Sequence, residues 1–276
     1  FPVVMVVGAS LLTVAWASLL SKRKWTPLLA GLLVVVAGFV GAGQGVILNY
    51  DSPSTSYAAV LALAFGIGST IYFKRNGRSH QDDWPLVLVL ALLAGGMVGA
   101  KASQAVVVLA GIGALAIVSL WQFTAVRRRA WLLFSTSGLA MLATYLIVIS
   151  GVAPSSTNIA LSLAGEKVST FQGLDPFPGW VGGLLGSLML ILAILPRWMG
   201  IGWLGGHSGN TQMPEFVFAL GLVLAGVLPI VFLNSGTNAG WFAVAASPPL
   251  AVLSAVGLER GFNRITGSVP RFVTMA

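Results

Sequence analysis

The sequence predicts an all-α, polytopic transmembrane bundle of about nine spans, with Phe1 outside and the C-terminal Ala276 cytoplasmic. Three observations predict it: an apolar composition, runs of the length a helix needs to cross a bilayer, and a one-sided distribution of basic residues. Of 276 residues, 57% are hydrophobic and 8% charged, and the mean hydropathy is +0.91. Soluble domains carry about 25% charged residues; so few charges would not cover this chain's surface in water, so its solvent is lipid. Backbone groups in lipid must be satisfied internally, which leaves helices or closed barrels. Barrel strands run to about 10 alternating residues. The runs here are roughly twice that and apolar on all sides, so they are helices.

The spans follow in order. Span one covers about Phe1–Leu20 and ends at Ser21-Lys-Arg-Lys24. Span two, about Pro27–Leu48, ends at the polar segment 49–56. Span three, about Tyr57–Phe73, is followed by a charged loop to Asp83. Spans four and five, about Pro85–Ala100 and Gln104–Phe123, form a hairpin at Lys101. Arg127-Arg-Arg129 precedes span six, about Trp131–Val152. A polar outer segment, 153–178, is too long for a simple turn and suits an interfacial or functional loop. Span seven is about Gly179–Leu195, span eight about Pro214–Leu233, and span nine about Trp241–Leu258, ending at Glu259. The whole chain reads as a single transmembrane domain.

Alternation over nine spans puts Lys22, Arg23, Lys24, Lys74, Arg75, Arg78, Arg127, Arg128, Arg129, Arg197, Arg260, Arg264 and Arg271 on one face. The other face receives Lys101 and Lys167. Cytoplasmic loops are enriched in Lys and Arg, so the first face is cytoplasmic. The net charge of +8 is thereby assigned to topology and to membrane lipids rather than to nucleic acid. With Phe1 outside, parity predicts at least one further helix upstream, making this a portion of a longer chain. The first run shows no basic n-region and no small-residue cleavage site, so it is not expected to be a signal peptide.

There is no cysteine, which excludes disulfides, thiolate metal sites and cysteine nucleophiles. Walker, GxGxxG and HExxH patterns are absent, and His207 in Gly205-Gly-His-Ser-Gly209 is not a nucleophile elbow. His80, Asp82 and Asp83 supply only one histidine among basic neighbours, so a solvated loop is expected there rather than a metal site. Glu215 opens span eight, where a carboxylate suits the helix dipole. Glycines in spans four and seven (Gly95, Gly96, Gly99, Gly182, Gly183, Gly186) suit close helix packing, or Gly-interrupted repeats of a transporter. No span has an ionisable residue at its centre, which argues against proton pumps, voltage sensors and ion-coupled carriers.

The charges that topology leaves unexplained lie outside. Lys101 either snorkels to the headgroups or binds a phosphate or pyrophosphate, with Ser103 and Gln104 as further donors. Gly99 and Ala102 would let a ligand approach the backbone. The outer segment carries Glu166 and Lys167, an exposed pair of little energetic weight, and Asp175 among aromatics and prolines, suited to an acceptor sugar or lipid. Gln44, Asn49, Tyr50 and Asp51 follow span two; Asn234, Ser235, Thr237, Asn238 and Trp241 join spans eight and nine. These outer loops are expected to converge, with Asp51, Asp175 and Asn238 near Lys101. Trp and Tyr there equally suit interfacial anchors.

Three stretches carry a family resemblance: Gly99-Ala-Lys101-Ala-Ser103, Asp51-Ser-Pro-Ser54, and Asn234-Ser-Gly-Thr-Asn-Ala-Gly-Trp-Phe242 leading to Pro248-Pro249. They resemble large actinobacterial polytopic proteins related to the GT-C glycosyltransferases, over spans two to five and eight to nine. The resemblance implies a membrane enzyme of the cell envelope, in the bacterial plasma membrane, using a polyprenyl-phosphate sugar as donor substrate. It implies a lipid-phosphate role for Lys101. It also implies a catalytic acid on the first outer loop, where Asp51 is the only early acid; the family places that acid after its first span, so here it is Asp51, lies upstream, or is lacking. The competing readings are a non-enzymatic subunit of a larger complex with partner subunits, and a transporter or permease subunit. No resident cofactor or metal is expected.

Overall fold

Why these runs become helices is clearest where lipid leaves the backbone no alternative. The structure, a computed structural model, describes residues 2–36, 53–75, 80–150, 160–161, 180–182, 184–185, 188, 198–204, 213–234 and 239–268. It is all-helical apart from one two-residue bridge. The helices are α1 (Pro2–Leu20), α2 (Trp25–Val36), α3 (Pro53–Lys74), α4 (His80–Val118), α5 (Arg127–Thr144), α6 (Pro214–Phe232) and α7 (Ala239–Ser268). Strands β1 (Ala160–Leu161) and β2 (Leu233–Asn234) pair antiparallel, Ala160 opposite Asn234. Three stretches, Ser56–Lys74, Asp83–Val118 and Thr124–Val148, are long and apolar enough to cross a membrane.

Spans four and five appear as the single element α4, interrupted at Lys101, whose backbone is extended (φ −160°, ψ 102°). The chain reverses there, and contacts with α5 prove it. A methyl on Gly95, six residues before Lys101, would sit 2.8 Å from Thr144 Oγ1 and 3.4 Å from the Ala140 carbonyl oxygen. Leu109, eight residues after Lys101, lies against Gly138, and Gly113 against Phe134. Both halves of α4 therefore meet the same stretch of α5. A straight helix rises 1.5 Å per residue and would carry Gly95 and Leu109 about 20 Å apart along α5. The hairpin expected at Lys101 is present, and only Lys101 itself leaves the helical conformation.

The other helices alternate in direction. Trp16 Nε1 donates to Thr70 Oγ1 at 2.9 Å, and Lys74 Nζ to the Leu19 carbonyl, so α1 and α3 run parallel, with α2 antiparallel between them in sequence. α3 and the first half of α4 run antiparallel, Gly68 against Leu90 and Gly96 against Leu61. α6 and α7 are antiparallel, Gly226 meeting Ala246 and the Phe242 carbonyl. The core collects around Phe218, with Trp16, Phe65 and Phe73 rings at 6.2–6.5 Å. A small apolar cleft beside it is lined by Trp16, Leu63, Val108, Leu222 and Pro249 among others. Small residues let the helices approach: a methyl on Gly111 would sit 2.6 Å from Leu222 Cδ2.

Two boundaries differ from the sequence expectation. α7 continues to Ser268 rather than stopping at Glu259, because Glu259 is satisfied within the fold. Span six leaves α-helical geometry at Tyr145–Ile149, a wider turn closed by Ser150 N donating to the Tyr145 carbonyl at 3.0 Å. Most of spans two and seven, and segment 153–178 apart from Ala160–Leu161, lie outside the described residues.

Candidate functional site: the Lys101 reversal and the opposite charged end

The bundle has two polar ends of different construction. At one end, a buried charge pair ties three helices, α3, α4 and α5, together. Asp83 in the first turn of α4 is 1% exposed and Arg129 in α5 is 2% exposed. Arg129 Nη2 donates to Asp83 Oδ2 at 2.6 Å, and Arg129 Nη1 donates to the Tyr72 carbonyl at 2.9 Å. Tyr72 lies in the last turn of α3, where helix carbonyls lack an intrahelical donor; the guanidinium supplies one. Arg129 Cζ also lies 5.3 Å from the Tyr72 ring centroid, and Arg75 Nη1 lies 3.7 Å from Asp83 Oδ1. This corrects the expectation of a solvated loop at Asp83.

Two more contacts complete that end. The Glu259 carboxylate accepts from Ser21 Oγ and, at 2.7 Å, from Thr26 Oγ1, fastening α7 to the α1–α2 turn. Arg23 Nη2 donates to Asn263 Oδ1 at 3.3 Å, and Trp25 meets Phe262 edge-on at 6.4 Å. Glu215 is buried at the start of α6, within electrostatic reach of Lys74. Arg260 Cζ sits 4.6 Å over the Phe216 ring; burial holds this guanidinium below its ordinary value, against the raising influence of Glu259. Sequence reasoning missed these pairings. Acids on an otherwise basic face were the available signal.

The opposite end holds Lys101. It is half-buried, Ala102 beside it is exposed, and Gln104 is fully buried. The Ser103 hydroxyl oxygen is buried with no hydrogen-bond partner among the described residues. The second half of α4 starts after Lys101, and the first amides of a helix have no acceptor within it. One cation, one hydroxyl and a set of backbone donors thus share a single turn, a combination able to hold an anion.

The remaining site residues fare unevenly. Asn234 lies in β2, opposite Ala160, so these two segments meet through their backbones at this point. α6 starts at the charged end and reaches the opposite end at Phe232, so this pairing stands at the Lys101 end. Trp241 lies in the first turn of α7. Asp51, Asp175 and Asn238 lie outside the described residues, as does their expected convergence on Lys101. Among the described residues no group of three or more His, Cys, Asp or Glu side chains could hold a metal ion. No family model, curated protein or solved structure matches this chain.

Proposed function

We propose that this chain is an integral protein of the bacterial plasma membrane that holds the phosphate of a polyprenyl-phosphate-linked sugar against the Lys101 reversal, on the extracytoplasmic face, as a glycosyltransferase-like protein. One observation carries this reading. α4 breaks at Lys101, and among the described residues this is the only cation at its end of the bundle. A bilayer-embedded lipid phosphate arrives at that depth with its tail along apolar helix faces. The ammonium answers its charge, and Ser103, Gln104 and the following amides answer its oxygens. Asp51 is the proposed base for an acceptor hydroxyl, and Asp175, Asn234, Asn238 and Trp241 the proposed sugar and acceptor contacts.

A second reading, a non-enzymatic subunit of a larger complex, draws on α5. Only 17% of an apolar 18-residue window within Thr124–Val148 is buried, leaving a long apolar face that a partner helix would cover as well as lipid does.

Titration of the purified protein with a short-chain polyprenyl-phosphate sugar separates the two. A charge-assisted hydrogen bond contributes about 1.5–3 kcal/mol, so Lys101→Gln should weaken binding by roughly 10- to 100-fold and Lys101→Arg far less. Equal affinity in wild type and Lys101→Gln would defeat the proposal.

A further inference from the structure

The charged end exposes cations and hides acids. Lys22, Lys24, Arg127, Arg128 and Arg264 are exposed there. Each acid whose side chain is described at that end is turned inward: Asp83 onto Arg129, Glu259 onto Ser21 and Thr26, and Glu215 into the base of α6. The charge meeting solvent at this end is therefore of one sign among the described side chains. Burying acids in this way removes the counter-charges that would quiet such a rim.

A second, independent feature surrounds the same rim. Trp25, Trp84, Trp121 and Trp131 are all exposed, Trp121 to 73%, and Trp203 joins them beside Gly261 of α7. The Asp83–Arg129 pair sets α4 and α5 in register, so Trp84 and Trp131 stand at one level, with Trp121 in the turn between those helices. Tryptophan rings gather where hydrocarbon gives way to headgroups. The rings thus put the headgroup layer at the level of the exposed Lys and Arg side chains.

We propose that this end is a docking surface for anionic phospholipid headgroups, held between the exposed cations and the tryptophan ring. Zwitterionic headgroups bring their own ammonium against the rim and are disfavoured. The proposal does not depend on Lys101 or on which side of the membrane the charged end faces.

Fluorescence quenching tests it on the full chain in phosphatidylcholine vesicles, because the tryptophans that mark the rim also report it. Brominated phosphatidylglycerol or brominated phosphatidylcholine replaces a rising share of the lipid. Each cation near an anionic surface adds a severalfold preference, so wild type should favour the phosphatidylglycerol by about threefold or more, and 1 M NaCl should reduce that preference. The combined Lys22→Gln, Lys24→Gln, Arg127→Gln and Arg128→Gln variant should bring it close to one, with helix content by circular dichroism as the folding check. Equal quenching by both lipids in wild type, a preference indifferent to salt, or a preference that survives the combined variant with helix content intact would overturn the proposal. Abolition of the preference by millimolar glycerol phosphate would also overturn it, by showing that a free phosphate suffices.

Discussion

Arg129 Nη2 and Asp83 Oδ2 lie 2.6 Å apart, both side chains almost wholly buried, at the foot of a hairpin whose tip is Lys101. The pair joins α5 to the first half of α4, and through the Tyr72 carbonyl it also reaches α3. Removing one partner strands the other charge away from water. Arg129→Ala or Asp83→Ala should therefore cost about 3–5 kcal/mol, whereas the double replacement Arg129→Met with Asp83→Leu should cost much less. Reversible unfolding in mixed micelles reads both; a double variant no better than the singles would count against this account of the pair.

The glycines of α4 divide by what faces them. A methyl on Gly95 would meet the Ala140 backbone and Thr144 Oγ1, and backbone has little room to shift. Gly99, one turn later, has nothing within 4 Å. Gly95→Val should destabilise by about 1–3 kcal/mol through overpacking. Gly99→Ala should be neutral or slightly stabilising, since alanine favours the helix. The same micelle unfolding assay compares the two, and equal losses would argue that α4 and α5 are not in contact at Gly95.

Trp16 Nε1 donates to Thr70 Oγ1 inside the core. Trp16→Phe leaves that hydroxyl without its donor and opens space beside Gly66, whose added methyl would lie 2.7 Å from the indole. A loss of about 2–4 kcal/mol is expected from the cavity and the missing bond. Thr70→Val, which removes the acceptor and keeps the shape, should cost less than Trp16→Phe.

The absence of native cysteine makes topology directly measurable. Ala102→Cys at the hairpin tip should react with a membrane-impermeant maleimide in intact cells. Lys24→Cys and Arg128→Cys should react only after permeabilisation. Labelling of all three from the same side would refute the proposed orientation.

How much of this could be read beforehand depends on what each feature is made of. α1 and α3 and the break at Lys101 follow from hydropathy runs and their interruptions, which are local in sequence. The pairing of Asp83 with Arg129 is not local: the partners are 46 residues apart, and a stretch of charges next to a span gives no sign of which ones turn inward. Glu259 misled for the same reason. It resembled a helix stop until Ser21 and Thr26, more than 230 residues away, satisfied its carboxylate and let α7 continue. At the candidate site, Lys101 stood out because charge topology did not account for it, while the meeting of Ala160 and Asn234 is a tertiary pairing with no periodic signal.

The most direct measurement of the central claim is photolabelling with a polyprenyl phosphate that carries a photoreactive group near the phosphate, followed by mass spectrometry of the labelled peptides. The account predicts label in the segment from Met97 to Ala105, competed by unlabelled polyprenyl-phosphate sugar and lost in Lys101→Gln. Label confined to other helices, or label at this segment that persists unchanged in Lys101→Gln, would contradict it.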